Sequence, residues 1–203
     1  MTALEVDYVT LFADVTEPSP TSNLREAVSL LASRTRVPPL VVLVGLSSAL
    51  GEWSLERMLN AARELHASVL RPGDECGAPS GVVASVMVEA VAGYGVVGID
   101  SQDLREAFAP PCAGFVFKWT PWFGEEAPAT IPPALRRALA DPQVTRLLLT
   151  YRFPPSGSLK RLDDAIGRIL STAARDLTVT VAAPVVVCGP EEAVITVIAG
   201  GRA

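Results

Sequence analysis

The run Leu40-Val-Val-Leu-Val44 places five apolar residues in a row with no polar interruption. A strand that faces water on one side alternates, so an unbroken run of this length marks a strand covered on both faces. Pro38-Pro39 lies directly before it and stops the preceding segment, since a proline supplies no N–H to a helix interior. Upstream, Leu24, Ala27, Val28 and Leu31 recur at one-face helical spacing, with Ser22 or Asn23 as the expected cap. Val6 to Val15 reads as a β-rich segment. Strand, helix and doubly covered strand in that order require a crossover, and a crossover joins parallel strands. The class is therefore α/β.

Composition narrows the function more than the fold. The chain has 203 residues, 49% hydrophobic and only 19% charged, which suits well-buried layers and argues against disorder. Its net charge is −5, and no Lys/Arg cluster breaks the acidic balance, so nucleic acid and anionic membrane are poor partners. Cys76, Cys112 and Cys188 are odd in number and far apart, which implies reduced thiols and a cytoplasmic setting. Met1 to Val15 carries Glu5, Asp7 and Asp14 and has no basic start, unlike a secretory leader. No run of about 18 apolar residues is present, so membrane insertion is not expected.

Further along, a helix capped by Ser54 puts Leu55, Met58, Leu59, Ala62 and Leu65 on one face and ends at His66. His66 is the chain's single histidine and has no second ligand at metal spacing, so no metal site is expected. Leu70 to Ser80 reads as a loop of turn-formers. A long apolar helix through Val83, Val86, Met87 and Val91 follows and ends at Gly93 and Gly95, where a left-handed residue is expected. Phe115, Phe117 and Trp119 alternate with Val116 and Lys118 as in a strand with one aromatic face. With Trp122 and Phe123, five of the twelve aromatics fall in nine residues, either as core with a loop folded onto it or as an exposed contact anchor. Ile131 to Ala140 predicts a short helix and Val144 to Phe153 a strand. The next helix has Leu159, Leu162, Ile166, Ile169, Leu170 and Ala173 inward, and Leu177 to Val187 and Ala193 to Ala199 read as a closing antiparallel hairpin.

Between the long helix and the aromatic strand lies Ala92 to Phe108, in which Asp100-Ser-Gln-Asp103 opens a helix through Leu104, Ala107 and Phe108. On its residues alone the acidic pair is a helix start: one carboxylate caps free N–H groups and the other favours the positive end of the dipole. The stretch also resembles the acidic loop of the FtsZ/tubulin superfamily, Asn-x-Asp-x-x-Asp-(Val/Leu)-Arg. Asp100, Asp103, Leu104 and Arg105 match, and Gly98 stands where that family has its leading Asn. In the family this loop follows the central helix, reaches into the next subunit of a filament and completes its GTPase site.

That resemblance implies a fold and a function. The fold would be a partial parallel-sheet remnant of the nucleotide domain (residues 1–78), a central helix (79–95) and a mixed-sheet α+β domain like the family's C-terminal activation domain (96–203). Thr16 to Ser22 falls where the family has Gly-Gly-Gly-Thr-Gly-Thr-Gly, and these seven positions hold no glycine. Phosphate oxygens need close approach to backbone N–H groups, which glycine permits. Here Pro18 and Pro20 each remove a donor and Glu17 adds negative charge. At about 4 Å and an effective dielectric near 20, each like-charge pair repels by roughly 4 kcal/mol. The expectation is an N-terminally truncated, degenerate relative without nucleotide, cofactor, metal or catalytic residue, and without the family's flexible tail beyond Gly201. It would act by protein–protein contact in a cell-division setting, either as a homo-oligomer or by docking on an FtsZ-type filament through Asp100, Asp103 and Arg105, with Trp122 and Phe123 as a second contact. Two alternatives stay open: a homo-oligomeric scaffold unrelated to division, and a small-molecule enzyme using Asp100 and Asp103.

Overall fold

A computed structural model describes residues 10–14, 21–33, 40–44, 68–72, 80–108, 112–123, 127–173, 177–186 and 192–200. In chain order the elements are β1 (Thr10–Asp14), α1 (Thr21–Ala32), β2 (Leu40–Val44), β3 (Ser68–Pro72), α2 (Ser80–Ala92), β4 (Gly95–Val97) and α3 (Ser101–Ala107). There follow β5 (Cys112–Trp119), β6 (Trp122–Phe123), β7 (Ala127–Pro128), α4 (Pro133–Leu139), β8 (Val144–Arg152), α5 (Leu159–Thr172), β9 (Thr178–Pro184) and β10 (Glu192–Gly200). Eight strands form one mixed sheet in the order β1-β2-β3-β5-β10-β8-β9-β4, and β6 and β7 pair as a separate ribbon.

The first four strands of that order are parallel: β1 on β2, β2 on β3 and β3 on β5. This is the pairing that the doubly covered run at Leu40 calls for, and Leu40 and Val41 are both buried. Beyond β5 the sheet turns antiparallel through β10, then β8 pairs parallel with β9.

Alternation along the strands splits the core into two layers. Val116, Leu148, Val194 and Ile198 face Val86, Met87 and Ala90 of α2 and Leu104, Ala107 and Phe108 at α3. Phe117, Trp119, Leu147, Leu149, Tyr151, Ile195 and Val197 face α4 and α5 on the other side. The predicted aromatic face of β5 is thus core at Phe117 and Trp119, while Phe115 stays 40% exposed.

Several expectations give way to tertiary context. Leu70 lies not in a loop but in β3, fully buried, because the strand sits between β2 and β5 and needs no length beyond five residues. β9 and β10 do not form a hairpin. β10 is buried on both faces from Ala193 to Ile198, with Thr196 its one polar residue there, and inserts between β5 and β8, where both of its edges are paired. Helix α1 begins at Thr21, which places Ser22 and Asn23 inside it rather than at its cap. Leu159 and Leu170 of α5 are 59% and 42% exposed, since the buried stripe runs through Leu162, Ala165 and Ile169. Gly93 is required for space rather than for a left-handed turn: a Cβ there would overlap the Glu89 carbonyl oxygen. The expected helix from Ser54 to Leu65, His66, Cys76, Cys188 and the loop Thr16 to Pro20 all lie outside the described residues.

Candidate functional site: an acidic helix cap beside the central helix

Residues 98–100 link the edge strand β4 to α3, and Asp100 is the N-cap of that helix, with extended backbone at φ −107° and ψ −178°. Its Oδ1 accepts the N–H groups of Gln102 at 2.7 Å and Asp103 at 2.9 Å. Asp103 answers through Oδ2, which accepts the N–H of Asp100 at 2.9 Å. This reciprocal box satisfies three orphan donors at the helix start. Arg105 lies in the last turn, where positive charge suits the carbonyl end of the dipole.

The helix is held at its far end too. Ser68 Oγ, fully buried on β3, donates to the Phe108 carbonyl at 2.7 Å, and Arg146 Nη1 on β8 donates to the Glu106 carbonyl at 2.7 Å. Leu104, Ala107 and Phe108 are buried beneath. The acidic pair therefore stands on a fixed element. Asp100 is exposed and Asp103 half-buried. Among the described residues, the second oxygen of each carboxylate accepts no hydrogen bond. The cap is complete internally and still presents two anionic oxygens outward.

A second charged cluster ties the central helix to the sheet. Arg152 at the end of β8 places Nε 3.2 Å from Glu89 Oε2 on α2 and Nη1 3.4 Å from Glu192 Oε2 on β10. Lys118 Nζ lies 3.2 Å from Glu192 Oε1. Glu89 Oε2 and Arg152 Nε are buried and their approach is too oblique for a hydrogen bond, so charge attraction carries this contact. Sequence reading did not single out these residues. The signal was there in Glu89, the only charged residue of α2.

The aromatic pair is placed elsewhere. Trp122 and Phe123 form β6, with Trp122 opposite Pro128 and Phe123 opposite Ala127, and their side chains lie outside the described residues. Arg168 of α5 donates to the Ala129 carbonyl at 3.2 Å just past this ribbon, and the Ala129 N–H meets the Pro121 carbonyl at 2.7 Å. The ribbon thus hangs from the α5 side of the sheet, whereas α3 packs on the α2 side. The two sequence-selected sites are not brought together.

For chemistry, the acidic pair offers two carboxylates occupied by backbone donors. Among the described residues no group of three His, Cys, Asp or Glu side chains is placed to hold a metal. A surface concavity lined by Arg25, Glu26, Ser29, Leu30 and Ser33 lies on α1 and includes neither aspartate. No described helix is long and apolar enough to cross a membrane.

A central helix leading through a short strand into an acid-capped helix, beneath a mixed sheet fed by parallel strands, defines the tubulin/FtsZ type of fold. Solved structures bear this out. A point mutant of FtsZ from M. jannaschii superposes with a TM-score of 0.61 at 13% identity, over 96% of this chain and 65% of that one. CetZ from Methanosaeta thermophila gives 0.57 at 14%, over 98% and 62%. TubZ from Bacillus thuringiensis serovar israelensis, solved as a GTPγS-form protofilament, gives 0.51 at 13%, over 96% and 60%. The chain has an FtsZ/tubulin-like fold and spans under two thirds of the length of these chains. No protein-family model matches it, and no curated protein sequence does.

Proposed function

We propose that this chain is a non-catalytic, FtsZ-like interaction protein that has lost GTP binding and works through surface contact, by self-assembly or by docking on an FtsZ-type filament. The division into a nucleotide-domain remnant (1–78), central helix (79–95) and C-terminal domain (96–203) belongs to this reading, as does a cytoplasmic setting. The observation that carries it is the acidic cap. Asp100 and Asp103 meet the backbone of α3 with one oxygen each and turn the other outward, on a helix fixed at both ends. A rigid exposed anionic pair suits recognition by backbone N–H groups or basic side chains of a partner. Two prolines and a glutamate in the glycine-free sequence Thr16 to Ser22 support the loss of the triphosphate.

Two measurements test this. Isothermal titration with GTP is expected to show no binding. Sedimentation with an FtsZ-type protein and GTP is expected to change the pelleted fraction or the GTPase rate, and Asp100→Asn with Asp103→Asn is expected to remove the change while leaving this chain folded. Clear GTP affinity in the isolated chain would sink the reading.

A further inference from the structure

Among the described residues, the outer edge of β9 is filled only in part. β4 covers only the C-terminal end of β9, pairing Gly95 with Pro184 and Val97 with Ala183. The Val185 N–H reaches the Tyr94 carbonyl at 2.9 Å on the same side, while the Pro184 carbonyl accepts from Phe153 and the Val186 N–H donates to the Phe153 carbonyl on the β8 side. Successive residues of a strand turn their backbone groups to opposite edges. Since Ala183 and Val185 turn theirs toward β4, Val181, Val179 and Leu177 turn theirs the same way, beyond the point where β4 has ended. The register shift between β4 and β9 falls between Gly95 and Val97, and β9 pairs residue for residue with β8 from Thr178 to Ala182, so this alternation is unbroken. No hydrogen bond satisfies these outward groups among the described residues.

The segment Leu177-Thr-Val-Thr-Val181 has none of the devices that guard a sheet edge: no charge, no proline and no bulge. Thr178 is exposed, and Leu177, Val179, Thr180 and Val181 are half-buried. We propose that this edge is a homodimer interface, in which β9 pairs antiparallel with β9 of a second copy about a two-fold axis at Val179.

The occupant is a second copy because the edge complements itself. With Val179 on the axis, Leu177 falls opposite the second copy's Val181, and Val181 opposite its Leu177. Every outward N–H and C=O of these three residues then finds a partner, as an isologous contact requires. On the α5 side the partly buried Leu177, Val179 and Val181 meet their own kind. On the α3 side Thr178 meets the second copy's Thr180, a favourable cross-strand pair. No charge on the strand calls for a basic or acidic partner. The sheet edge is a different surface from the outward oxygens of the acidic cap, so this dimer stands whether or not the cap docks.

Sedimentation equilibrium on the full chain, with amide hydrogen exchange, tests it. The expected result is a concentration-dependent dimer in which the Val179 and Val181 amides gain protection as the dimer forms. Thr178→Lys with Thr180→Lys brings ammonium groups face to face across the axis and is expected to give a folded monomer by circular dichroism. Mixing that variant with Thr178→Glu, Thr180→Glu is expected to restore a dimer. A wild-type monomer at all concentrations, or amides that exchange freely in a dimer, would overturn the proposal and leave the docking reading intact. Should the lysine variant lose its fold, the wild-type exchange pattern decides alone.

Discussion

Asp100 and Asp103 hold one another's backbone: each carboxylate accepts the other residue's N–H at 2.9 Å. This pair is a structural cap and a candidate contact at once, and the two roles separate by chemistry. Asparagine caps a helix about as well as aspartate but carries no charge. Asp100→Ala is therefore expected to cost about 1 kcal/mol, and Asp100→Asn close to nothing, in urea unfolding. Any partner contact that depends on charge is lost in both.

Ser68→Ala tests how α3 is fixed to the sheet. Ser68 is fully buried and its hydroxyl donates to the Phe108 carbonyl at 2.7 Å. Removing the donor leaves that acceptor without its partner in the interior, at a cost of about 1–3 kcal/mol. The midpoint of chemical unfolding should fall with an unchanged denaturant slope.

Arg152 bridges Glu89 and Glu192 with separate nitrogens. Arg152→Ala leaves both carboxylates without that cation and is expected to cost about 2 kcal/mol. Arg152→Lys should recover only part of the loss, because one ammonium cannot span two carboxylates as a guanidinium fork does. Thermal unfolding of the three proteins gives the comparison.

Gly114→Ala should destabilise the middle of the sheet. A Cβ there would sit 2.9 Å from the Val197 carbonyl oxygen on β10 and 2.9 Å from Leu70 Cδ2 on β3. The leucine can turn aside but a paired backbone cannot, so a loss of about 1–3 kcal/mol is expected in calorimetry.

On α5 the Lys160 ammonium donates to Asp164 Oδ2 at 2.8 Å, one turn ahead, and this hydrogen bond holds its pKa above the ordinary lysine value. A pKa raised in the folded state stabilises at pH below the unfolded value, and that contribution fades as pH rises through the folded one. NMR titration should show Lys160 deprotonating later than an ordinary lysine, and Asp164→Asn should move it back. The side chain is fully exposed, so little global stability is at stake.

Much of this architecture was legible residue by residue. The unbroken run at Leu40 fixed a parallel strand because only a doubly covered strand dispenses with polar positions. The spacing of Val86, Met87 and Val91 fixed the central helix, and Asp100 with Asp103 fixed the start of the next, because caps are met locally by the residues that form them. The aromatic alternation at Phe117 and Trp119 likewise named its own buried face.

What the chain could not announce is who pairs with whom. β10 reads as the second arm of a hairpin and instead lies between β5 and β8. Strand partners are chosen by long-range burial, and adjacency in sequence is only a tendency. β3 hid among turn-formers because five residues suffice once neighbours on both sides supply the hydrogen bonds. Among the described residues, β9 has an open edge only because β4 stops at Val97, and Arg152 meets Glu89 only because the sheet carries the end of β8 beneath the central helix. Local periodicity decides which segments are helices and strands; the competition for buried edges, which acts between residues far apart in the chain, decides the sheet they build and the surface it leaves open.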